Sequence, residues 1–145
     1  MPERDLATLL ATYRTALLTT RGEDGHFHSR PMAMRQRVRG EEIWFVTRAD
    51  SKKCRDLGHE PQCALTFFTG EAGGPTISVS GTGEVLRDRR LARELWDASW
   101  ARWFPEGPDA PEVALIRVLP EQVERHGPGP GALEVLRTSP PRSRR

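Results

Sequence analysis

Ser51, Lys52 and Lys53 place a hydroxyl and two ammonium groups side by side, directly after Asp50. A helix starting there aims its free backbone N–H groups and the positive end of its dipole at this triplet, which forms a socket for a phosphate group. A capped, solvated surface helix uses the same residues, so the triplet by itself leaves both readings open. A second constellation is His26-Phe27-His28-Ser29-Arg30-Pro31-Met32-Ala33-Met34, in which a regular strand puts His26, His28, Arg30, Met32 and Met34 on one face. A guanidinium beside thioethers suits a planar, partly apolar ligand whose oxygens take charge-assisted hydrogen bonds. The alternative is a core filled by Met32 and Met34, with Arg30 in a surface ion pair. The two histidines have no third ligand nearby in the sequence, so no metal is expected.

Other chemistries lack their residues. Ser78 and Ser80 belong to a strand-like run without the sharp G-x-S-x-G turn of a nucleophile, and Cys54 falls inside the expected helix. Neither a G-x-G-x-x-G nor a Walker sequence is present. An enzyme built on this chain must therefore borrow its chemistry from a cofactor. Aromatic residues concentrate at Trp96, Trp100, Trp103 and Phe104. Trp96 has the spacing of core packing, whereas Trp103 and Phe104, just before Pro105, are placed to cover a ligand or a partner subunit.

The elements that position these groups are short. Leu6, Leu9, Leu10 and Tyr13 predict an amphipathic lid helix. Residues 15–20 and 26–34 form a hairpin about Arg21-Gly22-Glu23-Asp24-Gly25, and strands follow at 35–38 and 43–47. A two-turn helix spans 51–57, stopped by Gly58 and Pro61. Strands at 62–69 and 76–87 precede a helix over 89–104, and further strands occupy 113–118 and 122–126. Strands joined mostly by turns predict an antiparallel barrel with appended helices, mainly β in class.

At 145 residues the chain has the length of one domain, assigned to 1–126, with a Gly/Pro-rich and Arg-rich tail, 127–145, expected to be disordered. The net charge of +2 includes Arg137, Arg142, Arg144 and Arg145, so residues 1–136 carry −2. A nucleic-acid protein carries its basic stripe on the folded domain, so no such partner is expected. No apolar run approaches the roughly 20 residues of a membrane span. Cys54 and Cys63, without a C-x-x-C motif or an export signal, point to reduced thiols and a cytoplasmic location.

In chain order, Leu17-Leu18-Thr19-Thr20, His28-Ser29-Arg30-Pro31-Met32, Ile43-Trp44-Phe45-Val46-Thr47, Asp50-Ser51-Lys52-Lys53, Ile77-Ser78-Val79-Ser80-Gly81-Thr82-Gly83 and Trp103-Phe104-Pro105-Glu106-Gly107-Pro108 form a recognisable series. With it the chain resembles the pyridoxamine 5′-phosphate oxidase-like, FMN-binding split-barrel proteins, in their bacterial general stress protein branch. The resemblance covers residues 6–123. It implies a six-stranded antiparallel split β-barrel of Greek-key type that forms a homodimer, with FMN bound in clefts between subunits. By the same resemblance Ser51, Lys52 and Lys53 are the phosphate-binding turn, with Thr47 at the strand end before it. Arg30, Pro31 and Met32 run beside the isoalloxazine and ribityl groups, Phe45 and Val46 form the opposite wall, and Trp103 and Phe104 reach the other subunit's flavin.

The implied activity is an FMN-dependent oxidoreductase exchanging hydride through flavin N5 with a small-molecule donor or acceptor. Alternatives are a flavin-binding storage or sensing protein without turnover, or the same barrel holding FAD, deazaflavin or haem. The chain departs from the family in two places. It lacks the C-terminal substrate segment of true pyridoxamine 5′-phosphate oxidases, so oxidation of that vitamin phosphate is not expected. It also has Arg125 and His126 where the stress-protein branch often has an aromatic pair after a glutamate.

Overall fold

The computed structural model describes residues 5–32, 35–71, 73–127 and 133–138. Helix α1 (Leu6–Leu10) is capped by Asp5, whose carboxylate accepts from the Thr8 N–H at 2.8 Å. Leu6, Leu10 and Tyr13 are buried beneath it, so the segment covers the core as its spacing predicts. Strands β1 (Thr15–Arg21) and β2 (Phe27–Met32) form the expected hairpin, turning where Gly25 adopts a φ of 83°. Next come β3 (Arg37–Arg39), β4 (Glu42–Arg48), α2 (Lys52–His59), β5 (Gln62–Phe68) and β6 (Thr76–Leu86). Helix α3 (Arg89–Leu95), two 3-10 turns at Ala98–Arg102 and Gly107–Asp109, β7 (Val113–His126) and β8 (Leu133–Thr138) complete the described chain.

All the strands join one antiparallel sheet in the order β2-β1-β5-β6-β7-β4-β3, with β8 also paired to β7. The jumps from β1 to β5 and from β7 to β4 give the path its Greek-key character. β2 and β3 stand at opposite ends of that order, yet Met32 of β2 and Val38 of β3 pack into the same core as Leu18, Phe45, Leu65 and Ile116. The sheet therefore curls until its two ends share an interior, as in a split barrel. A bulge between Ser80 and Gly81 bends β6 against β7. The first half of β7 pairs with β4 and its second half with β8.

β4 is buried on both faces. Ile43 and Phe45 enter the barrel core, while Trp44 and Val46 join a second core with Ala92, Leu95, Trp100, Phe104 and Leu115. This second core corrects the single helix expected over 89–104. Trp96 leaves helical geometry at ψ 128°, and Asp97 then caps a 3-10 turn by accepting from the Ser99 N–H at 3.1 Å. The break lets Trp96 meet Trp100 and Phe104 edge to face, at 5.4 and 6.3 Å between ring centroids.

Two further expectations are corrected. Of the eight strands among the described residues, β3 matches the one expected at 35–38 and only β8 lies where none was expected. The separate strands at 113–118 and 122–126 are one continuous β7. The disordered tail gives way over 133–138 to β8, where Leu136 packs on the barrel core and Glu134 reaches Arg125 at 3.6 Å. Met34, expected on the Arg30 face, and residues 139–145 of the tail lie outside the described residues. No described helix is long and apolar enough to cross a membrane.

Candidate functional site

Helix α2 begins where β4 ends, and Ser51 is its N-cap in an extended conformation. A serine N-cap normally accepts from a first-turn N–H, but the Ser51 side chain makes no cap bond, and its buried Oγ has no partner in hydrogen-bond geometry, only a weak interaction with the Cys54 thiol. One residue into the helix, Lys53 turns back over the end of β4, and its Nζ donates to the buried Thr47 hydroxyl at 3.0 Å. Among the described residues no carboxylate lies within salt-bridge distance of that ammonium. Burial, with the charge of Arg30 adding to it, holds the Lys53 ammonium below the usual lysine range, although the neighbouring Cys54 opposes the shift. An anion at this point would relieve both the burial and the repulsion between the two cations.

Arg30 arrives from β2. His28, Arg30 and Met32 do share the inward face, and Arg30 is the member that reaches α2. Its guanidinium donates to the Thr20 hydroxyl at 2.7 Å, to the Leu18 carbonyl at 3.3 Å and to Asp56 at 3.5 Å. Asp56, only 5% exposed, also accepts from Thr20 at 2.8 Å and from Lys52 at 3.0 Å. Burial alone would raise the Asp56 carboxyl, but the bonds from Lys52 and Thr20 and the charges of Lys52 and Arg30 outweigh it and hold the group below the ordinary aspartate value. Arg30, Lys52 and Lys53 with Asp56 leave a cationic excess around the first turn of α2.

The structure thus brings Arg30, Thr47, Ser51, Lys52 and Lys53 together. It places the other predicted site residues differently. Pro31 is exposed on the edge strand β2, and Met32 is buried in the barrel core. Phe45 and Val46 are fully buried on opposite faces of β4, in separate cores. Phe104 lies in the second core, while Trp103 is 52% exposed with the Arg102 guanidinium 5.6 Å from its ring centre. Thr20 and Asp56 were not anticipated from the sequence. The Lys52–Asp56 spacing of four was legible as a helical pair, but nothing in the sequence shows that β1 and β2 bring Thr20 and Arg30 to the same carboxylate.

Cys54, behind the socket, is buried, and burial pushes its thiol up despite the neighbouring Ser51 hydroxyl and nearby cations. It is no activated nucleophile. Among the described residues no group of three or more His, Cys, Asp or Glu is arranged to hold a metal ion. A cavity of about 450 Å³ opens elsewhere, between Leu9, Tyr13, Pro75, Ile77 and Arg125, and shares no residue with this constellation.

Comparison with known proteins agrees with this architecture. Protein bli-3 of Neurospora crassa is 30% identical over 124 residues, 79% of this chain, and the chain spans 59% of that curated relative's length. The crystal structure of General Stress Protein 26 from Bacillus anthracis superposes with a TM-score of 0.73 at 23% identity, covering 90% of this chain and 95% of that one. A pyridoxamine 5′-phosphate oxidase-related, FMN-binding protein from Nostoc punctiforme gives a TM-score of 0.66 at 17% identity, covering 88% and 81% of the two chains. At these identities the two structures show a common fold. The model of the family described as pyridoxamine 5′-phosphate oxidase like matches residues 2–126. The chain belongs to that family.

Proposed function

We propose that the protein is an FMN-binding oxidoreductase of the general stress protein type, with the flavin phosphate held at the start of α2. The observation that carries this reading is the pairing of a buried, unpartnered Ser51 hydroxyl with the half-buried Lys53 ammonium that lacks a carboxylate. Both satisfy a phosphate oxygen, as do the free N–H groups of the first helical turn. Arg30 and Lys52 add positive charge at its flank. Flavin supplies the hydride chemistry that the surrounding side chains lack. The name of the Nostoc relative supports FMN, while an F420 reductase and a haem-binding protein from Mycobacterium smegmatis share the fold, so the absorption spectrum of the purified protein decides among these ligands.

The proposal includes a cytoplasmic homodimer with the ligand between subunits and a small-molecule electron donor or acceptor. Trp103 supports the dimer, since a half-exposed indole is available to a second chain. The second reading is flavin binding without turnover. The deciding experiment is the visible spectrum of the purified protein before and after adding FMN, then under anaerobic conditions with a nicotinamide donor. Bound flavin that bleaches supports the oxidoreductase, and bound flavin that persists supports the binding protein. Failure to take up FMN overturns both. Sedimentation over a range of concentrations tests the dimer.

A further inference from the structure

We propose that Asp56 is the positioning residue of the phosphate socket, drawing Arg30 and Lys52 into place so that Lys53 and Ser51 are left to meet the ligand directly. The inference deepens the reading of this site as a phosphate-binding one and rests on it. A carboxylate inside an anion site is at first sight opposed to its purpose, because it repels the ligand. Its connections explain it. Asp56 Oδ2 receives the Thr20 hydroxyl at 2.8 Å and the Arg30 guanidinium at 3.5 Å, and Oδ1 receives Lys52 at 3.0 Å, so one buried group ties β1, β2 and two successive turns of α2 together.

Arg30 has no other acid within reach among the described residues. Its remaining partners are the Thr20 hydroxyl and the Leu18 carbonyl. Without Asp56 the guanidinium and the Lys52 ammonium repel each other, and both can extend toward water, since Lys52 is 48% exposed and Arg30 21%. With Asp56 they are fixed before any ligand arrives, and three cations against one carboxylate leave a charge of +2. That charge suits a phosphate monoester, which carries about −1.5 to −2 at neutral pH. The geometry divides the work: Asp56 consumes the attraction of Lys52 and part of that of Arg30, while Ser51 Oγ and Lys53 Nζ have no acidic partner and face the ligand.

The test uses the sign of the effect. If Asp56 only repels an anion, Asp56→Asn tightens phosphate binding. If it positions the cations, the same change weakens binding although it makes the site more positive. Two probes are used on the full chain: inorganic phosphate, read as a rise in Tm against chloride at equal ionic strength, and FMN against riboflavin, read by flavin fluorescence. The expected result is that Asp56→Asn loses most of the phosphate-dependent rise in Tm and weakens FMN about tenfold or more, with riboflavin affinity unchanged. A general loss of structure would weaken riboflavin as well. Thr20→Val, which removes one bond to each of Asp56 and Arg30, is expected to act in the same direction more weakly, and Asp56→Glu to restore phosphate protection.

Unchanged or tighter phosphate and FMN binding in Asp56→Asn overturns the inference and leaves the flavin reading intact. Phosphate protection that depends on Asp56, in a wild-type protein that refuses FMN, overturns the flavin reading and leaves the inference intact. Wild-type protein that binds neither probe overturns both. Should Asp56→Asn fail to fold, Thr20→Val decides: full phosphate protection in that variant overturns the inference.

Discussion

Ser51 stands at a helix N-cap and makes no cap bond, an unusual state for a hydroxyl whose oxygen is buried. Removing an N-cap serine ordinarily costs about 0.5–2 kcal/mol because a bond to the helix is lost. Here no cap bond is lost and a polar atom with only the weak Cys54 thiol beside it is removed, so Ser51→Ala is expected to leave the ligand-free protein equally stable or slightly more so. FMN affinity should fall about tenfold or more, the worth of one hydrogen bond to a charged group. Urea denaturation beside flavin titration checks both halves, and a clear loss of stability would mean that Ser51 serves the helix rather than a ligand. The two lysines are expected to differ as their partners do. Lys52 is already engaged by Asp56, whereas Lys53 holds only a neutral hydroxyl, so Lys53→Ala should weaken FMN by about tenfold or more and Lys52→Ala by less. Because burial depresses the Lys53 pKa, wild-type affinity should fall as pH rises through that value, below the ordinary lysine range, and Lys53→Ala should lose this dependence.

α2 carries three of the socket residues or their cap, and its seat on the barrel is a glycine. A Cβ at Gly83 would stand 2.8 Å from Leu57 Cδ2 and 3.3 Å from Cys63 Sγ, so the helix approaches β6 as closely as a missing side chain allows. Gly81, at the bulge, is tighter, since a Cβ there would run into the Leu119 carbonyl oxygen of β7. Leu57 can move its terminal methyls, whereas β7 would have to move its backbone. Gly83→Ala is therefore expected to cost about 1 kcal/mol, and Gly81→Ala about 3 kcal/mol, the two ends of the usual overpacking range. Denaturant midpoints measure the difference, and equal effects would remove the distinction between side-chain and backbone clashes. At this scale the sequence was informative where one element has one environment. The parity of β2, the Ser51 start of α2 and the lid helix all follow from local pattern. It misled at 89–104, where Trp96, Trp100 and Phe104 keep helical spacing but the ring packing of the second core is met by a broken helix.

Across the whole molecule, what escaped the sequence is what depends on distant segments meeting. Thr20 and Asp56 are 36 residues apart and join only because β1 packs under α2, and Phe45 and Val46, adjacent in sequence, are committed to different cores. Cys63 lies in the same class. Sequence identifies it as a reduced thiol, but its titration depends on β5, β6 and the end of β7 closing around it. Burial, reinforced by the Glu121 carboxylate, pushes the Cys63 thiol up to about 12 from an ordinary value of 9.0. The folded state keeps this proton after the unfolded chain has released it, so the contribution to stability is whole below pH 9 and is lost as pH rises from there toward 12. Replacing the thiol removes that term, and Cys63→Ala is expected to flatten the alkaline fall in stability relative to wild type while lowering stability near neutrality by a small cavity cost, about 1 kcal/mol. Denaturation midpoints at intervals from pH 7 to about 11 give the slope. Parallel slopes in the two proteins would mean that Cys63 titrates alike in the folded and unfolded chains, which the closed packing of the barrel around it does not allow.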